Sequence, residues 1–224
     1  MISDFENIPP LPKIMAPARQ IAYVVDDIDA AMQHWHDLHG VGPFLVARNE
    51  NPMSNAFYRG NKAPSSRVNI AFAYVGDMQL ELIELIGDTP GLYKEALDRQ
   101  QYGVHHYAVC VDDFAAAYNW ALDNGFDAVV DVGVDGLARM SYVENPELGL
   151  ILEVIEWNPL TRPYFDSLER RVRAADSTQL VHEFSLADLT PKAAVLGQLL
   201  KFSVKKLFGK VQQTRRPVEP GVAA

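Results

Sequence analysis

Apolar and polar residues alternate in two well-separated stretches of the chain. Residues 103–113 read Gly-Val-His-His-Tyr-Ala-Val-Cys-Val-Asp-Asp, and residues 20–27 read Gln-Ile-Ala-Tyr-Val-Val-Asp-Asp. A period of two with β-branched and aromatic residues predicts strands at 104–111 and 19–25. Behind each Asp-Asp pair the apolar spacing widens to that of a helix, Ile28-Asp29-Ala30-Ala31-Met32 in one copy and Phe114-Ala115-Ala116-Ala117-Tyr118 in the other. Asp27 or Asp29 caps the first helix, which runs to His39 and ends at Gly40; the second covers 113–124 and ends at Gly125. Residues 44–47 form a strand, and 68–75 with 78–86 form a hairpin turning at Gly76-Asp77. In the second copy strands fall near 127–132, 137–143 and 149–156, with Asn145-Pro146-Glu147-Leu148-Gly149 as the last turn. The closing strands also match, Leu80-Glu81-Leu82-Ile83-Glu84 against Leu152-Glu153-Val154-Ile155-Glu156. A repeat of strand, helix and three strands organises the chain.

This repeat sets the expected boundaries: an N-terminal arm at 1–17, a first βαβββ module at 18–88, a connector at 89–102, a second module at 103–157 and a largely helical extension at 158–224. The arm is Pro-rich (Pro9, Pro10, Pro12), and the connector holds a short helix at 92–99. Residues 49–66 are polar and interrupted by Pro52, Gly60 and Pro64, which predicts a long mobile loop, often a functional feature. In the extension Thr190-Pro191 starts a helix. Its apolar positions (Val195, Leu196, Leu199, Leu200, Leu207, Phe208) alternate with lysines, so it packs on the body or a partner subunit, or lies on a membrane surface.

Composition narrows the function classes. A formal charge of −9 excludes sequence-independent nucleic-acid binding while leaving room for an anionic small molecule held by local arginines. The lone Cys110 excludes an internal disulfide framework, and no apolar run reaches the roughly 20 residues a bilayer requires. The N-terminus lacks the layout of a signal peptide. The expectation is a cytoplasmic homodimer with a small-molecule substrate and neither nucleic acid nor membrane as partner.

Strand parity decides which side chains meet. If Ile21, Tyr23 and Val25 face the helices, Gln20, Glu81, His106 and Glu153 point together into the concavity between the modules. Two carboxylates in apolar surroundings repel and lose hydration, so one keeps a proton unless a cation sits between them. An imidazole nitrogen with oxygen donors suits a divalent transition metal. Taken singly, Glu81 and Glu153 read better as solvated strand residues and His106 as a strand-end histidine; their coincidence of position in two copies reverses that preference.

The layout resembles the vicinal oxygen chelate superfamily, which includes lactoylglutathione lyase, methylmalonyl-CoA epimerase and the extradiol dioxygenases. The resemblance covers about residues 18–157, and rests on His-His-Tyr-Ala-Val-Cys-Val-Asp-Asp, Glu-Asn-Pro-Glu-Leu-Gly-Leu-Ile-Leu-Glu and Leu-Glu-Leu-Ile-Glu. It implies an α+β fold of paired βαβββ modules forming a cup-shaped mixed sheet, followed here by the C-terminal helical extension. It also implies Gln20, Glu81, His106 and Glu153 as ligands of a divalent ion (Zn, Ni, Co, Mn or Fe). Such a set is similar to the isomerase branch, as in lactoylglutathione lyase. The epimerase and dioxygenase branches usually carry His where this chain has Gln20. The implied activity is that of an isomerase, epimerase or lyase acting on a small carbonyl compound, a thioester or a thiol conjugate. Glu153 would be the base and Glu81 its partner, working through a metal-stabilised enediolate. A ring-cleaving extradiol dioxygenase and a metal-free binding protein are the rival readings.

The remaining candidates carry less chemistry. His34, His36 and His39 lie on the polar side of an amphipathic helix. His105 points away from His106 and serves packing. Cys110 shares the His106 face as a small lining residue, and Glu84 and Glu156 face solvent. Arg59 and Arg67, with Lys62, flank the long loop; Arg59 and Arg67 are candidates for binding a substrate carboxylate or phosphate, and a solvated loop is an equal reading.

Overall fold

The computed structural model describes residues 17–52, 56–64, 66–100, 103–134, 138–159 and 161–189. The expected N-terminal arm up to residue 16 and the basic helix from Thr190 lie outside the described residues. The first module consists of β1 (Ala18–Val25), α1 (Ile28–His39), β2 (Phe44–Glu50), the two-residue strands β3 (Phe57–Tyr58) and β4 (Asn61–Lys62), β5 (Arg67–Val75) and β6 (Met78–Ile86). After α2 (Leu92–Asp98), the second holds β7 (His106–Val111), α3 (Phe114–Asp123), β8 (Asp127–Val134), β9 (Ala138–Asn145) and β10 (Leu150–Glu156). Beyond it lie α4 (Thr161–Ala174), β11 (Val181–Phe184) and a 3-10 turn, Leu186–Leu189.

Both modules start their helices by the same device. The Ala30 amide donates to Asp27 Oδ1 at 2.9 Å, and the Ala116 amide donates to Asp113 Oδ1 at 3.0 Å. Each aspartate thereby satisfies one of the amides that a helix start leaves unpaired. Asp29 does not share the capping; it forms a bidentate pair with Arg48. Gly40 ends α1 in the left-handed region, with φ 65°, which a side chain would disfavour.

One mixed sheet of 11 strands runs in the order β11-β2-β5-β6-β1-β7-β10-β9-β8-β3-β4. β1 pairs with β6 in parallel, β7 with β10 in parallel, and the two leading strands meet antiparallel. The β1–β7 register opposes Gln20 to Ala108 and Ala22 to His106, as expected if a twofold relation exchanges the modules. On the convex side Ile28 and Met32 of α1 pack with Phe44, Val46, Leu80 and Leu82, and Ile21, Tyr23 and Val25 border that cluster. Phe114, Ala117 and Ala121 of α3 do the same against Val109, Val143 and Val154.

Two features depart from the sequence expectation. Residues 57–62 form a small hairpin in place of an irregular loop, and β3 pairs across the modules with β8. An open β8 edge would leave a row of unpaired backbone groups, and this hairpin covers part of it. The extension also contributes more than helix. β11 adds a parallel strand to β2, and Leu168 and Val172 of α4 pack on Ala22, Ile70, Phe72 and Ile83 on the concave side. Among the described residues, no helix is long and apolar enough to cross a membrane.

Candidate active site

Two rows of residues cross the centre of the sheet. In one, Glu81 on β6 lies beside Ala22 on β1, which lies beside His106 on β7. In the other, Gln20 on β1 lies beside Ala108 on β7, which lies beside Glu153 on β10. The rows are two residues apart along the strands, so all six side chains share the concave face. Each row has alanine at its middle, and Ala22 and Ala108 are buried. A methyl group there leaves room for the longer flanking side chains to bend toward one another.

They do converge. His106 Nε2 lies 3.5 Å from Glu153 Oε2 and 3.6 Å from Glu81 Oε2. Gln20 hydrogen-bonds Glu81. Relative exposures of 0% for His106, 4% for Gln20, 5% for Glu153 and 8% for Glu81 remove the set from bulk water. Burial and, second, the facing Glu153 carboxylate raise the pKa of Glu81 well above the ordinary carboxylate range. Without a cation, Glu81 therefore holds its proton to higher pH than an exposed carboxyl does.

Gln20 Oε1 and His106 Nε2 are buried with no hydrogen-bond partner. Orphaned buried acceptors are costly, and their presence beside two carboxylates calls for a cation. Ligands at ~2.1 Å from one ion stand about 3.0–3.4 Å apart for octahedral or tetrahedral arrangements. The His106–carboxylate separations exceed that upper value slightly. Accordingly, among the described residues, no three His, Cys, Asp or Glu side chains form a group tight enough to hold an ion as they stand. Each carboxylate lies only a few tenths of an ångström beyond a shared-ion distance from His106, and an imidazole nitrogen with carboxylate and amide oxygens is a transition-metal donor set. The residues fit a divalent metal.

His105 has a larger role than packing. Its Nδ1 lies 2.8 Å from His106 Nδ1, and burial followed by repulsion from His106 lowers its pKa to about 3. One of these two nitrogens donates to the other, and where His106 is the donor its Nε2 lone pair faces the cup. Strand parity separated the two histidines and missed their contact, which arises because His105 precedes β7 and is free of its pleat. The Tyr93 and Tyr142 hydroxyls, 3.3 Å apart, were also missed; burial raises both phenol pKa values. Tyr142 meets His106 edge to face at 5.0 Å.

Beside this cluster lies a cavity of about 410 Å³, lined by Gln20, Glu81 and Glu153 together with side chains of β5, β9 and α4. Neither expected anion-binding arginine lines it. Arg59 is held between Glu95 Oε2 at 2.9 Å and Glu144 Oε1 at 2.8 Å. Arg67 donates to the Asn49 carbonyl at 2.6 Å. Arg139 is the cation among the described lining residues, paired with Glu156 at 2.9 Å, so Glu156 is not simply solvated. The three α1 histidines are exposed, and burial pushes the Cys110 thiol up to about 12, leaving it a poor nucleophile.

Comparison with known proteins adds a family. The model described as "Glyoxalase/Bleomycin resistance protein/Dioxygenase superfamily" matches residues 19–142. No curated protein matches the chain. Among solved structures, methylmalonyl-CoA epimerase from Mycobacterium tuberculosis is similar at 18% identity over 67% of this chain and 93% of its own, with a TM-score of 0.49. A variant of the Streptomyces coelicolor methylmalonyl-CoA epimerase in complex with 2-nitronate-propionyl-CoA is similar at 17% identity over 63% of this chain and 94% of its own, with a TM-score of 0.46.

Proposed function

This chain belongs to the glyoxalase/bleomycin resistance protein/dioxygenase superfamily, and on that premise we propose that it is a metal-dependent isomerase, epimerase or lyase moving a proton at the carbon beside a carbonyl. The observation that carries the reading is the meeting of Glu81 and Glu153, one from each module, at the orphaned Nε2 of His106. Gln20, Glu81, His106 and Glu153 would hold the divalent ion. When bound, the ion supplies Lewis-acid polarisation of a substrate oxygen. The protein's own groups do the rest. His105 fixes the His106 tautomer, and the buried walls exclude water. Glu153 removes the proton from carbon. Glu81, from the opposite module, returns it or holds it for the other face. A carboxylate from each side suits a reaction in which a proton leaves one face of a planar carbon and returns to either.

A ring-cleaving dioxygenase is less well served by these donors, since the usual iron set has two imidazoles with one carboxylate. Here the second imidazole, His105, faces His106 through Nδ1. A metal-free binding protein of the same fold remains the alternative from another class, and it requires no ion.

Elemental analysis of the full chain purified without added metal separates these readings, followed by solvent-deuterium exchange into candidate carbonyl compounds. Bound divalent metal that His106→Ala loses, with exchange that Glu153→Gln slows by ~10²–10⁴-fold, is the expected result. Metal affinity unchanged in His106→Ala would overturn the metal centre. Exchange at the wild-type rate in Glu153→Gln would place the base elsewhere, with Glu81 next to test.

A further inference from the structure

We infer, resting on the proton-transfer reading above, that the cup takes an uncharged, ring-bearing carbonyl compound and not a phosphate-bearing thioester. Four observations lead there: the size of the cavity, its walls, its roof and its charge.

At about 410 Å³ the cavity lies in the lower part of the range of ~300–1,000 Å³ that encloses compact organic ligands. Its walls away from the polar cluster are Ile70 and Phe72 of β5, Met140 of β9, Ile155 of β10, and Phe165 and Leu168 of α4. Such walls reward an apolar ring by removing it from water and by close contact, and they offer nothing to a hydrated charged chain. The Tyr93 and Tyr142 hydroxyls, on side chains that line the cavity with Glu81 and Glu153, offer a donor to a neutral oxygen of the ligand.

The roof comes from the extension that follows the repeat. α4 packs on the concave face, and the segment after β11 is tied to the cavity wall where Glu50 accepts hydrogen bonds from Ser185 Oγ and the Leu186 amide, both at 3.1 Å. These contacts cover one side of the cup and narrow the way out for a long arm on that side.

Charge acts in the same direction. The described lining carries three carboxylates, Glu50, Glu81 and Glu153, and the single guanidinium of Arg139, which is committed to Glu156. A divalent ion offsets Glu81 and Glu153, and Glu50 then remains. Phosphates require arginine or lysine donors, or a helix N-terminus, and would meet a carboxylate here instead.

The test is calorimetric titration of the full chain, metal-depleted and zinc-loaded, with three probes: phenacyl alcohol (a ring bearing adjacent carbonyl and hydroxyl oxygens), propionyl-CoA and lactate. Phenacyl alcohol should bind at least about tenfold more tightly than either other probe. Met140→Lys, which places a cation in the wall, should weaken phenacyl alcohol by about tenfold or more, with circular dichroism checking the fold. Propionyl-CoA binding as tightly as phenacyl alcohol overturns the inference, and so does the absence of phenacyl alcohol binding in both forms. If Met140→Lys does not fold, the wild-type comparison decides alone. Tight phenacyl alcohol binding without deuterium exchange refutes the reaction and leaves the substrate class standing; thioester binding with exchange does the reverse.

Discussion

Replacing Glu81 by glutamine should stabilise the metal-free protein at neutral pH, although it removes a residue from the centre of the site. In the unfolded chain the Glu81 carboxyl releases its proton near 4.5, whereas burial and Glu153 hold that proton to higher pH in the fold. Between these values the folded state binds the additional proton. The unfolding free energy therefore falls by about 1.4 kcal/mol for each pH unit in that window. At pH 7 the loss cannot exceed about 3.4 kcal/mol, the cost of keeping one such carboxyl protonated over roughly 2.5 units. Glutamine has the same shape, does not titrate and can still bond Gln20, so Glu81→Gln should recover most of that loss and leave stability unchanged at pH 4.5. Urea denaturation of chelator-treated wild type and variant between about pH 4.5 and 8 measures the difference. Zinc should reverse the order, because an ion at ~100-fold its dissociation constant adds about 3 kcal/mol to the protein that holds it well. A metal-free wild type whose stability stays level with the variant's, or rises relative to it, from about pH 5 to 7 would refute the reasoning.

Other perturbations test neighbouring links. His105→Phe should keep the fold yet lower zinc affinity by ~10–100-fold, because His106 loses the partner that sets its tautomer; competition with a chelating dye reads this directly. Ala108→Leu should cost about 1–3 kcal/mol by overpacking and also abolish metal binding, because its added atoms occupy the gap that Gln20 and Glu153 bend across. A variant with normal zinc affinity would show that the gap is not required. Arg59→Ala should change thermal stability by only ~0–1 kcal/mol and leave phenacyl alcohol binding unaltered, since the side chain is partly exposed and lies outside the cup.

The sequence by itself determined the elements of each module and the face on which each polar residue sits, because both depend on short-range geometry. Alternation placed Gln20 and Glu81 on one side of their strands whatever they later paired with. The aspartates at 27 and 113 cap helices through amides three residues on, a contact that needs no tertiary partner. The repeat extended this reach: two similar modules related by a twofold had to bring equivalent strands together, so the pattern alone set His106 and Glu153 against Gln20 and Glu81. Contacts without a periodic signature were decided only by the tertiary structure. Two-residue strands such as β3 and β4 show no alternation, and it was the open β8 edge in the other module that ordered them. Arg59 was drawn from a supposed anion site by Glu95 and Glu144, which are distant in sequence. β11 is too short to read, and the concave face that receives α4 is assembled from residues of β1, β2, β5 and β6. The His105–His106 contact depends on where β7 begins, to the residue. Local pattern therefore placed the polar cluster, and long-range packing made the walls of the cavity beside it.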